Sequence, residues 1–308
     1  MTDVKVFAPA TVANVGAAFD VLGFAVEQPG DFVICRKTKN LGVKIKSITG
    51  DHGRLPRETE NNTSGVAVQA FLNQVQPGCG IEIELEKCMP LGSGLGSSAA
   101  SAVAAVYAAN VLLGSPLTVE SLLPFAMEGE RIACGAAHAD NVAPSLLGGF
   151  VLIRSYAPLD ILKIPTPPSL YCSLVHPLVE VKTSDARKIL RKEILLKDAV
   201  IQWGNIAGLI AGLYRSDYPL IGRSLADVII EPERSLLIPG FYKVKEAALN
   251  QGALGCSLSG SGPSMFAFSD NPDTAHRVVE AMSKEFKNLN IGSETYVSKV
   301  NDFGPKVV

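Results

Sequence analysis

The stretch Pro90-Leu-Gly-Ser-Gly-Leu-Gly-Ser-Ser-Ala-Ala-Ser101 lies between a segment with strand character and one with helix character. Upstream, Ile81-Glu-Ile-Glu-Leu-Glu86 alternates apolar and acidic side chains, and that period of two predicts a half-exposed strand. Downstream, Ala99 to Leu113 is an alanine-rich apolar run interrupted by Ser101, Tyr107 and Asn110, which predicts a core helix. Gly92, Gly94 and Gly96 let the backbone turn tightly and approach a bulky ligand. The helix that follows directs free N–H groups and the positive end of its dipole at the same spot. Such a strand, glycine turn and helix form a cradle for phosphate.

Other glycine-turn motifs share parts of this pattern. A Walker loop needs Gly-Lys-Ser/Thr, which is absent here, and the serine elbow G-x-S-x-G is not matched either. Gly94-Leu-Gly96-Ser-Ser-Ala99 does satisfy the G-x-G-x-x-A form of the dinucleotide fingerprint, with Glu120 about twenty residues on. That acid should end a strand, yet Ser-Pro-Leu-Thr-Val-Glu120 reads as a helix start. A second cluster, Gly255-Cys-Ser-Leu-Ser-Gly-Ser-Gly-Pro-Ser264, precedes the apolar run Met265 to Phe268. Two such loops suggest two walls of one anion site, although the second would also serve as a plain glycine-rich hairpin.

Elsewhere the chain reads as mixed α and β. Val4 to Phe7 predicts a short strand, residues 8–16 a loop, and Phe19 to Val26 and Asp31 to Arg36 two more strands. Residues 40–60 have loop and edge-strand composition, and Thr63 is placed to cap a helix running to about Val75. Ser121 to Gly135 suggests a helix, and Gly148 to Ile153 a turn into a strand. Pro158 to Ser169 holds four prolines, which predicts a boundary near 165 between domains 1–165 and 166–308. Beyond it come a strand at 171–176, helices near 183–197, 199–214 and 239–250, a strand at 264–268, a helix at 272–287 and a strand at 293–300.

Composition narrows the function classes. At 308 residues, 47% hydrophobic and 19% charged, the chain is an ordinary globular mixture. Its 28 basic and 30 acidic residues leave a net charge of −2, without the positive surface that neutralising many nucleic-acid phosphates requires. Met-Thr-Asp-Val-Lys-Val-Phe-Ala-Pro at the start lacks the pattern of a secretory signal, and the apolar run at 99–113 falls short of the ~18–20 residues that span a bilayer. The expectation is a cytoplasmic protein with no membrane or nucleic-acid partner. Cysteines 35, 79, 88, 134, 172 and 256 show no C-x-x-C and no Cys/His cluster, so they are expected as buried small apolar side chains.

Together with Ala8-Pro-Ala-Thr-Val-Ala-Asn-Val-Gly-Ala-Ala-Phe-Asp20, the two glycine clusters resemble the three motifs of the GHMP kinases, small-molecule kinases whose signature is P-x-x-x-G-L-x-S-S-A. The resemblance covers essentially the whole chain. Within that group, His138-Ala-Asp-Asn-Val-Ala-Pro-Ser-Leu-Leu-Gly-Gly-Phe150, Lys182-Thr-Ser-Asp-Ala-Arg187 and Glu231-Pro-Glu-Arg234 look like the homoserine kinases. The resemblance implies an α+β fold of two domains, a mixed nucleotide-binding one followed by a ferredoxin-like one. It also implies ATP and Mg²⁺, L-homoserine as acceptor in threonine biosynthesis, and a homodimer.

Residue roles follow from the resemblance alone. The nucleotide is expected on Pro90, Leu91, Gly92, Ser93, Gly94, Leu95, Gly96, Ser97, Ser98 and Ala99, with Ser259, Gly260, Ser261 and Gly262 as a second wall. Asn62 and Lys87 are expected nearby, a helix cap and an exposed strand end being their bland readings. Ser98 and Glu130 are the expected Mg²⁺ ligands, hydroxyl and carboxylate being hard donors, with Ser97 competing for the serine's role. A zwitterion needs cations for its carboxylate, which Arg187 and Arg234 resemble, and an acid for its ammonium, which Asp20 resembles. Asn14, His138 and Asn141 complete the polar wall. Asp20, Asn141 and Thr183 make up the expected catalytic set. Thr183 stands in the region where mevalonate kinase relatives carry an aspartate base, and a threonine hydroxyl does not remove protons near neutral pH. Without the resemblance, Glu130 and the arginines are ordinary surface charges and His138 a core histidine. A different GHMP kinase, a nicotinamide-dependent dehydrogenase and a catalytically silent sensor are the alternatives.

Overall fold

The computed structural model describes residues 2–135 and 138–308, apart from the side chains of Ala133 and Cys134. Its first sheet begins with β1 (Asp3–Ala13) and β2 (Leu22–Thr38), paired antiparallel. It continues with β3 (Val43–Thr49), β4 (Gly80–Glu86), β5 (Phe150–Tyr156) and β6 (Leu159–Ile164). The β3–β4 pair is parallel and the other pairs are antiparallel, which makes this sheet mixed. On it pack α1 (Thr63–Val75), α2 (Ser97–Leu112), α3 (Leu123–Cys134) and α4 (Ala139–Leu147). α2 is apolar on every side because it is enclosed by β1, β2, α1, α3 and α4.

The second sheet has the order β10-β7-β9-β8 and is antiparallel: β7 (Tyr171–Pro177), β8 (Gly255–Leu258), β9 (Met265–Ser269) and β10 (Ser293–Lys299). Between β7 and β8 run α5 (Thr183–Lys188), α6 (Leu196–Arg215), α7 (Tyr218–Arg223), α8 (Glu231–Arg234) and α9 (Phe241–Asn250), and α10 (Pro272–Asn288) separates β9 from β10. The tail then returns to the first sheet as β11 (Lys306–Val307), antiparallel to β1. Phe24 and Phe150 of the first sheet meet Phe266 and Phe268 of the second, with the Phe24 centroid 5.2 Å from that of Phe268 and 6.0 Å from that of Phe266. One aromatic cluster therefore joins the sheets and holds the cleft between them.

Several local expectations are corrected by the fold. Residues 8–13, read as loop, continue β1, because the alanines and Val12 there are core residues facing α2 and α4. The two strands read on either side of Pro29 are one strand, which changes partner from β5 to β4 along its length. Asn62, not Thr63, caps α1, its Oδ1 accepting from the N–H groups of Ser64 and Gly65. The proline-rich segment contains β6, and the helix near 183–197 stops at Lys188. Cys35, Cys172 and Cys256 are buried, Cys79 is half-buried and Cys88 is exposed at the end of β4, while the Cys134 side chain lies outside the described residues. Among the described residues no helix is long and apolar enough to cross a membrane.

Candidate active site

Three segments far apart in sequence meet at one place. The turn from β4 into α2 carries the first glycine cluster, and the turn from β8 into β9 the second. Gly94 packs so closely on the second turn that a Cβ there would stand 2.5 Å from the Ser259 carbonyl oxygen and 2.6 Å from that of Gly262. Its φ of +77° also suits glycine alone. Ser259 Oγ donates to the Gly94 carbonyl at 2.7 Å, and the Ser264 N–H to the Ser93 carbonyl at 3.2 Å. The end of β1 closes the junction. Gly260 N–H donates to the Ala13 carbonyl at 3.1 Å, and Asn14 Nδ2 donates to the Gly260 carbonyl at 2.8 Å.

α2 begins at this junction with Gly96 as its N-cap and no side-chain cap, so its first-turn N–H groups open toward the cavity that Gly96, Ser97 and Ser98 line. Beneath the turn lies a buried polar network. Asp31 of β2 and Lys87, just past β4, form an ion pair whose side chains are 0% and 2% exposed. Lys87 Nζ also donates to the Ser97 carbonyl at 2.9 Å and to Ser101 Oγ at 2.6 Å. Asp31 accepts further from Ser97 Oγ at 2.8 Å and from the Cys88 and Met89 N–H groups at 2.8 and 3.1 Å. The Ser97 hydroxyl is thus committed to the scaffold, and Lys87 is a buried strut rather than an exposed strand end.

The junction borders a cavity of about 400 Å³, a size typical of small-molecule sites. Leu91, Gly92, Ser93 and Gly94 line it together with Lys87, Asn62 and Glu130. Asn62 has both ends of its amide engaged, since Nδ2 donates to the Pro56 carbonyl at 2.8 Å while Oδ1 caps α1. Asn14, Asp20, His138, Asn141, Thr183, Arg187, Arg234, Gly260 and Ser261 line the cavity as well. Pro90, Leu95, Ala99, Ser259 and Gly262 are not among the lining residues; Leu95 and Ala99 are buried, and Ser259 and Gly262 brace Gly94.

Around Asp20 the charges are paired. Arg187 Nη1 and Nη2 donate to the two Asp20 carboxylate oxygens at 3.1 and 3.2 Å, and His138 Nδ1 lies 3.9 Å from Asp20 Oδ2. Burial lowers the His138 pKa from its ordinary value, and the Asp20 carboxylate opposes that shift. Arg234, 2% exposed, donates to the Ala186 carbonyl at 3.2 Å and to the Gly260 carbonyl at 2.9 Å. Burial and the neighbouring Arg187 bring its pKa down to about 10, so it stays cationic. Thr183 Oγ1 is 3.4 Å from Ser261 Oγ, and Asn141 Oδ1 accepts from Thr11 Oγ1 at 2.8 Å.

Several residues here are not singled out by the sequence reading, although Thr11, Phe19 and Asp140 lie inside its quoted motifs. Asp31, Thr11 and Tyr156 reach the site only through sheet pairing. Phe19 lies under both guanidiniums, with Arg187 Cζ 5.5 Å and Arg234 Cζ 5.0 Å from its ring centroid. Asp140, inside the quoted His138–Phe150 motif, lines the cavity at 3% exposure, and its Oδ1 has no hydrogen-bond partner among the described residues. Burial, then the Asp20 and Glu130 carboxylates, push its pKa up to about 7.

The family model described as the GHMP kinases N terminal domain matches residues 62–149, and that described as GHMP kinases C terminal matches residues 209–288. A homoserine kinase of Chlorobium phaeovibrioides is 54% identical, with 100% of each chain covered. The chain belongs to the homoserine kinase family of the GHMP kinases. A homoserine kinase structure from Cytophaga hutchinsonii superposes with a TM-score of 0.98 at 61% identity, covering 100% of this chain and 98% of that one. A mevalonate kinase of L. major, at 16% identity, 96% coverage of each chain and a TM-score of 0.69, shares the fold. The matched N-terminal model of this kinase family begins at Asn62, which places β1 and Asp20 outside it although Ala13 and Asp20 line the cavity.

Proposed function

We propose that this protein transfers the γ-phosphoryl group of ATP to the side-chain hydroxyl of L-homoserine, forming ADP and O-phospho-L-homoserine, a step toward threonine. The observation that carries the reading is one cavity lined by an uncapped helix start and a glycine turn together with Asp20, Arg187 and Arg234. In this reading the nucleotide sits mainly on residues 1–165 and the amino acid at their junction with 166–308, in a cytoplasmic homodimer.

At the phosphate end, the backbone N–H groups of α2's first turn bind phosphate oxygens, aided by the helix dipole. The Ser98 hydroxyl and the Glu130 carboxylate, which is 4% exposed, both line the cavity, and this oxygen donor set fits Mg²⁺. Ser98 is assigned over Ser97 because the Ser97 hydroxyl is held by Asp31. When bound, the metal neutralises charge on the β- and γ-phosphates.

At the amino-acid end, Asp20 takes the ammonium group and the two arginines take the carboxylate, after Arg187 exchanges its Asp20 partner for the ligand. Asn141, oriented by Thr11, and Thr183 hold the acceptor hydroxyl for in-line attack. Neither is a strong base, and phosphoryl transfer depends chiefly on alignment and charge stabilisation. A second reading gives the hydroxyl's proton to Asp140, because its carboxyl titrates near 7; the closure of Oδ1 from solvent favours the first.

The test is ADP release by purified protein with Mg-ATP, comparing L-homoserine with mevalonate, galactose, L-serine and no acceptor. Release stimulated by homoserine alone, with equal phosphohomoserine, is expected. Release with another acceptor discards the zwitterion clamp. In the same assay, Asp140→Asn is expected to keep kcat within about tenfold, and a loss beyond about a hundredfold selects the base reading.

A further inference from the structure

We propose that Tyr156, the last residue of β5, is a positioning residue that holds Asp20 in place for an ammonium group; the identity of that group rests on the function proposed above. Asp20 has a φ of +55°, a left-handed conformation disfavoured for a residue with a Cβ. Both of its backbone polar groups are claimed by side chains. Its N–H donates to Asn14 Oδ1 at 3.0 Å, and its carbonyl accepts from Tyr156 Oη at 3.1 Å. The same phenol oxygen accepts from the N–H of Ala139 at 3.3 Å, the first residue of α4. One hydroxyl therefore ties the Asp20 turn to the helix that carries Asp140 and Asn141.

Tyr156 is 42% exposed, and it is not among the cavity-lining residues, so it acts through Asp20 rather than on a ligand. Burial and the nearby carboxylates raise its pKa, which keeps the phenol protonated as a donor. With the turn fixed, the Asp20 carboxylate meets both Nη atoms of Arg187 and faces His138. Sequence motifs do not reveal Tyr156, because it enters from the tip of the β5–β6 hairpin.

Tyr156→Phe removes only the hydroxyl. The expected result is a homoserine KM raised about tenfold, with the ATP KM unchanged and kcat within about twofold. Equal rises in both KM values, or no change in either, overturn the proposal. In an Asp20→Asn background the same substitution should add nothing, and additive effects show that Tyr156 acts elsewhere. A substrate-independent readout is the His138 titration, followed by NMR in the ligand-free protein. Release of the Asp20 carboxylate that now raises it should move the titration of the Phe variant to lower pH, and an unchanged titration overturns the proposal. Failure of wild-type protein to phosphorylate homoserine would count against the proposed function, while the His138 result still decides the positioning role.

Discussion

At the glycine-turn end of the cavity, polar groups are sealed inside the scaffold: Asp31 and Lys87 pair at 0% and 2% side-chain exposure, and the same carboxylate holds Ser97 and two backbone N–H groups. In the Asp20 cluster on the same cavity, Asp20 and Arg187 pair with each other at 26% and 41% exposure, Arg187 standing on a helix of six residues. The difference is the one that the proposed function asks for. A phosphate cradle stabilises developing charge best when its dipoles are already aligned, so its supports are buried and fixed. An amino-acid site built from a paired acid and arginine satisfies its own charges when empty and gives each one up to the opposite charge of a zwitterion.

The comparison predicts large stability effects at the first cluster and large binding effects at the second. The greatest loss is expected from Lys87→Met, which leaves Asp31 buried without its cation. Urea unfolding should show a loss of about 3–5 kcal/mol, with partial recovery when Asp31→Asn is added. A loss below about 1 kcal/mol would mean that the Asp31 network is not the anchor described.

Next in size is Asp140→Asn. Between pH 3.8, the ordinary value, and about 7, the folded protein keeps a proton on Asp140 that the unfolded chain has released. Stability therefore falls as pH rises through that window and is level above it. Removing the charge should stabilise the ligand-free protein by on the order of 2–4 kcal/mol near pH 8, with the gain fading toward about pH 4. A gain independent of pH would remove the buried charge as its cause.

The substrate end is tested by Arg187→Ala. A homoserine KM raised about thirtyfold to a hundredfold, with the ATP KM nearly unchanged, is expected from losing a bidentate partner. The smallest effect is on the same variant's stability. A half-exposed pair contributes about 0–1 kcal/mol, so its melting temperature should shift by no more than a few degrees. A large stability loss would make the pair structural and erase the contrast between the two ends.

How much of this was legible varies with how local the signal is. The acidic alternation at 81–86, the helix after Gly96 and the helix from Pro272 all read correctly, because period and turn residues lie within a few positions of one another. β2 was split at Pro29, since a proline inside a strand normally marks its end. α4 carries Pro144 and only nine residues, too few for a helical period to stand out, and its role in presenting Asp140 and Asn141 was invisible. Glycine content marked both loops, but not that Gly94 of one abuts Ser259 and Gly262 of the other.

By itself the sequence determined the glycine turn and helix of the motif, the mixed α+β character and the family, because a contiguous motif encodes its own backbone geometry through glycine and helix propensity. Only the tertiary structure decided which serine serves the scaffold, that Asp31 and Lys87 are partners, and that Tyr156 reaches Asp20. Those contacts join residues 56, 66 and 136 positions apart. They arise from strand register and shared burial, which a residue's neighbours along the chain do not specify.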